Sequence, residues 1–245
     1  MNRYQLIIEY DGEKFIGWQI QKKGISIQKT LQSVISKFLK EKITVYGAGR
    51  TDAGVHAIKQ SAHFDTKKRL HSKSLIKSLN FFLNKKNISI LKIIKKNNLF
   101  HSRYSAKERT YVYLIRNHIS PSVLKKRKEW HVIKNIDLDL LKKGSRILTG
   151  THDFSTFRAS NCNAKNPVKT MRQISVIKRD SVIKIKFISQ SFLKSQVRSM
   201  VGSLKLLGEK KWTLNKFKNS FKSKNRKNCA PLAPPYGLYL ERVTY

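Results

Sequence analysis

An α+β fold built from two similar halves is expected from the hydrophobic patterning of the chain and the order of its elements. Short runs alternate apolar and polar residues, as in YQLIIEY, KQSAHFDT and TYVYLIRN. Between them lie longer stretches whose apolar residues recur at the 3.6-residue helical period. The order strand, helix, strand, strand, helix, strand occurs and then repeats, which is the split βαβ arrangement of ferredoxin-like or RRM-like units. Two ferredoxin/RRM-like halves, with no low-complexity linker between them, are expected to form one extended, mainly antiparallel sheet flanked by helices.

YQLIIEY is the first strand, and DGEKFIGW turns the chain at Gly12 and Gly17. Behind Ser26, an N-cap residue, Ile27, Leu31, Val34, Ile35 and Phe38 define a helix with one apolar face. KITVYGAG reads as a strand running into a glycine-rich loop, and KQSAHFDT as the next strand. A helix from Ser72 places Leu75, Ile76, Leu79, Phe82 and Leu83 on one face, and ISILKII closes the first half. In the second half KERTYVYLIRN is a strand and DLDLLKKGSRILTG a helix ending at Gly150. TMRQISVIKRDSVIKIKFI is a hairpin, KSQVRSMVGSLKLLG a helix ending at Gly208, and GLYLERVTY the last strand. The boundary falls near Phe100 to Lys107, giving halves 1–104 and 105–245.

A chain of 245 residues buries a core without staples. The two cysteines, Cys162 and Cys229, form no C-x-x-C pair, so a reducing compartment and a metal-free site are expected. Glu9 and Asp11 break the first apolar run, and no run approaches the roughly 18 residues that span a bilayer, so a cytoplasmic protein is expected. The formal net charge of +38 is the footprint of a polyanion binder, and nucleic acid is the commonest such partner. Lysine-rich loops such as LKKRKEW and KSKNRKN show that part of this charge is compositional, and no basic amphipathic helix marks a membrane surface.

The most unusual stretch is YGAGRTDAGVHA, residues 46–57, whose only strongly charged residues are Arg50 and Asp52. Gly47, Gly49 and Gly54 open the loop to a planar substrate. In extended backbone Arg50 and Asp52 project to one side, where the cation favours an ionised carboxylate usable as a nucleophile. A carboxylate capping the turn TDAG explains the residue equally well on local grounds. The spacing fits neither a phosphate-binding loop nor a dinucleotide fingerprint, and His56 and His63 lack a third ligand for a metal.

GRTDAGVHA, taken with the opening IEYDGEKFIGWQIQ, FHSRYSAKERTYVYLIRN, GTHDFSTFRA, VRSMVGSL and APPYGLYLERV, resembles the tRNA pseudouridine synthases that act on the anticodon arm. The blocks run in order along essentially the whole chain. The resemblance implies isomerisation of uridine to pseudouridine at positions 38, 39 and 40 of tRNA, without a cofactor and by a homodimer that binds tRNA across both subunits. It assigns the catalytic acid to Asp52, an arginine that helps the target base leave the stack to Arg50, and the tyrosine that stacks on uracil to Tyr111. It assigns the arginine paired with the carboxylate to Arg198. RNA contacts are implied along Phe100, His101, Ser102, Arg103 and Tyr104, and along Asn161, Cys162, Asn163, Ala164 and Lys165.

Each assignment has a plainer counterpart. Tyr111 would otherwise be a half-buried sheet aromatic beside Arg109 and Tyr113, and Arg198 a surface arginine next to the stripe Val197, Val201 and Leu204. Lys59, Lys194, Ser195 and Gln196 depart from the family's usual residues, which bears on packing and RNA affinity more than on chemistry. The rival functions are a noncatalytic tRNA-binding or RNA-chaperone protein on the same fold, and a metal-dependent nuclease.

Overall fold

The computed structural model describes residues 1–245, which divide into two compact units. The first comprises Met1–Lys107 and the terminal Tyr239–Tyr245, and the second Glu108–Leu238. The α+β class and the mainly antiparallel strand pairing are those expected.

In the first unit β1 (Asn2–Tyr10) runs antiparallel to both β3 (His56–Thr66) and β4 (Ile88–Lys96). The terminal strand β10 (Leu238–Thr244) adds to β3 in parallel, and the order is β4, β1, β3, β10. Tyr4, Leu6, Ile8 and Tyr10 alternate along β1 and are buried with Ala62 and Phe64 of β3. The intervening Gln5 is also buried, donating to Ser61 Oγ at 2.9 Å, and that hydroxyl accepts from Tyr245 at 2.7 Å.

Helix α1 (Ile27–Leu39) starts at Ser26, whose hydroxyl accepts from the Lys29 amide, as the N-cap reading expects. Its buried stripe is Ile27, Leu31, Ile35 and Leu39, and α2 (Ser72–Leu83) buries Leu75, Leu79 and Leu83. Phe38 and Phe82 are therefore exposed, contrary to expectation. Each precedes the last member of an i, i+4 row and is rotated by about 100° from it, off the buried face.

KITVYGAG was expected as a full strand, but β2 spans only Tyr46–Gly47. Helix α1 supplies the reason. Ser36 Oγ accepts from the Ile43 amide at 2.9 Å, Gln32 Oε1 from the Val45 amide at 3.1 Å, and Gln28 donates to the Val45 carbonyl at 2.9 Å. The Ile43 amide and both backbone groups of Val45 are thus satisfied by helix side chains and do not need a neighbouring strand.

In the second unit β5 (Glu108–Asn117) pairs antiparallel with β9 (Val182–Ser189), β9 with β8 (Val168–Arg179), and β8 with β7 (Gly150–Asp153). The short β6 (Trp130–Val132) lies parallel to β5. The β8–β9 hairpin turns at Asp180 and Ser181, with Asp180 at φ 50°. Helix α3 (Leu138–Leu148) is capped by Asp137, which accepts from the amides of Asp139 and Leu140, and packs on α4 (Gln196–Gly208) and β8.

Helix α5 (Leu214–Lys222) has no counterpart in the sequence reading. Its buried Phe217 and Phe221 are hidden among lysines in a nine-residue helix, and only Thr213, its N-cap, signals the start. No helix is long and apolar enough to cross a membrane.

Candidate active site

The loop that carries Asp52 is held by the turn following β1. The Trp18 amide donates to the Thr51 carbonyl at 3.0 Å, and the Gly54 amide to the Phe15 carbonyl at 3.3 Å. Gly17 sits at φ 108°, and a Cβ there would lie 2.6 Å from the Thr51 carbonyl oxygen, so the close approach requires glycine. The Thr51 hydroxyl bonds Tyr10 at 2.8 Å, and burial pushes the Tyr10 phenol well above its ordinary range. On the other flank Gln60 donates to the Gly49 carbonyl at 2.9 Å, and the Ala48 amide to Ser61 at 2.8 Å.

Within this frame Thr51 is buried, Arg50 exposed and Asp52 half-buried. The turn Asp52–Val55 is closed by the main chain, the Val55 amide donating to the Asp52 carbonyl at 3.1 Å. His56, at the head of β3, accepts from the Gly12 amide at 3.1 Å and stacks on Tyr239 at 4.8 Å. His63 accepts from the Ser102 amide at 3.2 Å, so both histidines hold loops in place.

Tyr111 and Arg198 belong to the second unit. Tyr111 is buried on β5, edge-on to Phe192 with ring centroids 5.0 Å apart. Its strand neighbour Tyr113 is buried, donates to the Pro234 carbonyl at 2.7 Å, and has its phenol pushed up by burial.

Arg198 lies in the first turn of α4, half-buried, so it is not the surface arginine of the plainer reading. Its Nε donates to the Ala233 carbonyl at 2.8 Å, and the Ala233 amide returns a bond to the Arg198 carbonyl at 3.1 Å. The segment carrying Ala233 runs so close to α4 that a Cβ at Gly202 would meet the Pro231 carbonyl at 2.1 Å. No local sequence pattern marks this strap. Gln196 is buried and accepts from the Leu193 amide at 2.8 Å, closing the turn into α4.

The two RNA-contact stretches are mixed in exposure. Phe100 and Ser102 are buried: Phe100 packs on Tyr245 at 4.9 Å, and the Ser102 hydroxyl donates to the Tyr46 carbonyl at 2.6 Å. Arg3 braces the stretch, pairing with Asp65 through two 2.7 Å bonds while donating to the Asn98 and Phe100 carbonyls. What this stretch offers a ligand is Arg103 and Tyr104, both exposed, with half-exposed His101 against Tyr104 at 4.4 Å. In the second stretch Cys162 is buried and accepts from the Lys194 amide, Ala164 is half-buried, and Asn161, Asn163 and Lys165 are exposed. The side chains of Phe100, Ser102 and Cys162 serve packing, which the sequence pattern does not distinguish from contact.

Comparison with known proteins shows the family. The sequence pattern of a family described as tRNA pseudouridine synthase matches residues 6–105 and 145–245. Over the full length of both chains the protein is 58% identical to tRNA pseudouridine synthase A of Pelagibacter ubique. It is 42% identical to the protein of that name from Parvibaculum lavamentivorans and 40% identical to that from Rhizobium meliloti, again over all of both chains. A loop built around one half-buried aspartate, the segment that clamps it, and full-length similarity at this level place the chain in the tRNA pseudouridine synthase family.

Proposed function

We propose that this protein isomerises uridine to pseudouridine in tRNA, at positions 38, 39 and 40 of the anticodon arm, with Asp52 as the nucleophile. The reaction breaks the bond from N1 to C1′ and forms one from C5 to C1′. The C5 proton is lost and N1 gains one, so the product is an isomer and no redox partner is consumed. An ionised Asp52 can attack C1′, add to C6, or assist departure of the base as an anion.

The observation that carries this reading is the placement of Asp52 in a loop fixed from both flanks, with its turn closed by the main chain. A carboxylate held in that way contributes pre-organisation, since its position is set before substrate arrives. Each route requires the uridine to leave its helical stack, which costs a few kcal/mol. Arg50, exposed beside Asp52, is assigned to the vacated place, Tyr111 to stacking on the flipped base, and Arg198 to keeping the carboxylate charged. These roles follow the family resemblance, as do the RNA contacts of His101, Arg103 and Lys165. The protein is further proposed to act in the cytoplasm as a homodimer with tRNA bound across both subunits.

The test is carbodiimide mapping of pseudouridine on bulk tRNA incubated with wild-type protein and with Asp52→Asn. Modification at positions 38 to 40 by the wild type alone is expected, with tRNA binding retained by both. Modification persisting in Asp52→Asn removes Asp52 as nucleophile, and light scattering that shows a monomer at working concentration removes the dimer.

A further inference from the structure

The second unit contains a cavity of about 190 Å³ whose chemistry the pseudouridine reaction does not use. At its floor is Glu129, 5% exposed, in the residue preceding β6. Both carboxylate oxygens are buried and neither accepts a hydrogen bond. Arg116 forms a loose ion pair with it, Nη1 lying 3.6 Å from Oε1, beyond hydrogen-bond length. The guanidinium is held elsewhere, its Nε donating to the Ser120 carbonyl at 3.1 Å. A buried acceptor left without donors costs about 1–3 kcal/mol, and more when charged, so the arrangement is that of a site awaiting two N–H groups.

The rim narrows what can bring them. The exposed Lys125, Lys126 and Arg127 line the cavity, His131 of β6 is the register partner of Arg116 on β5, and Arg127 lies over the Tyr236 ring at 5.2 Å. A free cation would satisfy the carboxylate but would be repelled by this surround. A ligand with an anionic end for the rim and a neutral donor edge for the floor fits both demands. A nucleotide has that form, and Tyr236 offers its base an aromatic surface. Among the bases, guanine alone presents two adjacent N–H donors, N1–H and N2–H, spaced for the two oxygens of one carboxylate. Adenine and cytosine each present a single amino group on that edge. The cavity is below the 300–1,000 Å³ of sites for drug-sized ligands, which suits one base with its phosphate outside.

We propose that the Glu129 cavity is a guanine-nucleotide site, in which the carboxylate reads the base edge and Lys125, Lys126 and Arg127 hold phosphate. The guanine comes either from a free nucleotide or from an unpaired guanosine of bound RNA, and the chemistry is the same for both. The site is independent of Asp52 and of the proposed reaction. The competing account is a structural staple between Glu129 and Arg116.

The deciding measurement is calorimetric titration of the wild-type protein with GMP, IMP, AMP and CMP. Saturable GMP binding is expected, weaker by about tenfold or more for IMP, which lacks the N2 amine, and absent for AMP and CMP. Glu129→Gln should abolish GMP selectivity, and Lys126→Ala, on the exposed rim, should weaken GMP without loss of thermal stability. If the guanosine belongs to RNA, free GMP binds weakly but Glu129→Gln lowers affinity for a guanine-containing loop oligonucleotide and leaves its inosine counterpart unchanged. Equal binding of all four nucleotides overturns the proposal. So does absence of GMP binding together with unchanged oligonucleotide affinity in Glu129→Gln, the result a mere staple predicts.

Discussion

The Trp18 amide donates to the Thr51 carbonyl at 3.0 Å, fixing the residue before Asp52 to the turn that leaves β1. The position of the proposed nucleophile is thereby set by residues more than thirty positions earlier in the chain. The aromatic and glycine residues of the opening YDGEKFIGW and those of GRTDAGVHA are parts of one local structure.

That dependence makes Gly17→Ala a sharp probe. The new Cβ meets the Thr51 carbonyl, and φ 108° is strained for any residue with a side chain. A stability loss of about 1–3 kcal/mol is expected. Because Thr51 must shift, kcat for pseudouridine formation should fall further than stability explains while tRNA affinity holds. Thermal unfolding together with single-turnover kinetics reads both effects, and unchanged kcat in a destabilised variant would separate the clamp from catalysis.

Arg198→Lys keeps the charge but cannot reproduce the Nε bond to Ala233 at 2.8 Å. Modification should drop about tenfold or more, with the α4 strap loosened and Cys229 more reactive toward a thiol reagent, since Cys229 lies near Ser199 and Ser203 of the same helix. Full activity in the lysine variant would assign Arg198 to the strap alone.

His63 gives a pH signature. Burial, with His101 and Arg3 nearby, lowers its pKa to about 4, and its Nδ1 accepts from the Ser102 amide. The folded state therefore holds a neutral ring while the unfolded chain protonates near the ordinary 6.5. Stability from this group is complete above pH 6.5 and is lost as pH falls from about 6.5 to about 4. Melting curves of wild type and His63→Gln should converge across that window, and parallel curves would show that another group titrates.

Asp65 acts at lower pH. Its hydrogen bonds to Arg3 hold the carboxyl below the ordinary 3.8, so its contribution is present above that value and is lost as pH falls through the depressed one. Asp65→Asn should be less stable than wild type near neutrality and approach it in acid. Arg3 also donates to the Asn98 and Phe100 carbonyls, so the variant should increase amide exchange along residues 98–104.

The charge predicts a steep salt dependence. If the +38 excess contacts tRNA, the logarithm of affinity falls linearly with the logarithm of salt, by about 0.7 to 0.9 per phosphate neutralised. Removing exposed Arg103 or Lys165 should lower the slope by about one. A slope unaffected by either variant would place their charge outside the contact.

Periodicity, capping and unbroken motif blocks are local properties of a chain, and they made the α+β class, most of the longer strands and helices, the Ser26 cap and the family legible in the sequence, while the short β6 and β7 and the lysine-rich α5 escaped them. The sequence could not show that Phe38 and Phe82 face outward, since adjacent apolar residues on a helix cannot share one narrow stripe and only packing selects the stripe. It could not show that β2 begins only at Tyr46, because the competing bonds come from Gln28, Gln32 and Ser36 of a helix earlier in the chain. Tertiary structure alone decided the clamp on Asp52, the tie from Arg198 to Ala233 and the unsatisfied carboxylate of Glu129. Each depends on which backbone groups meet across long separations, and no local pattern encodes that meeting.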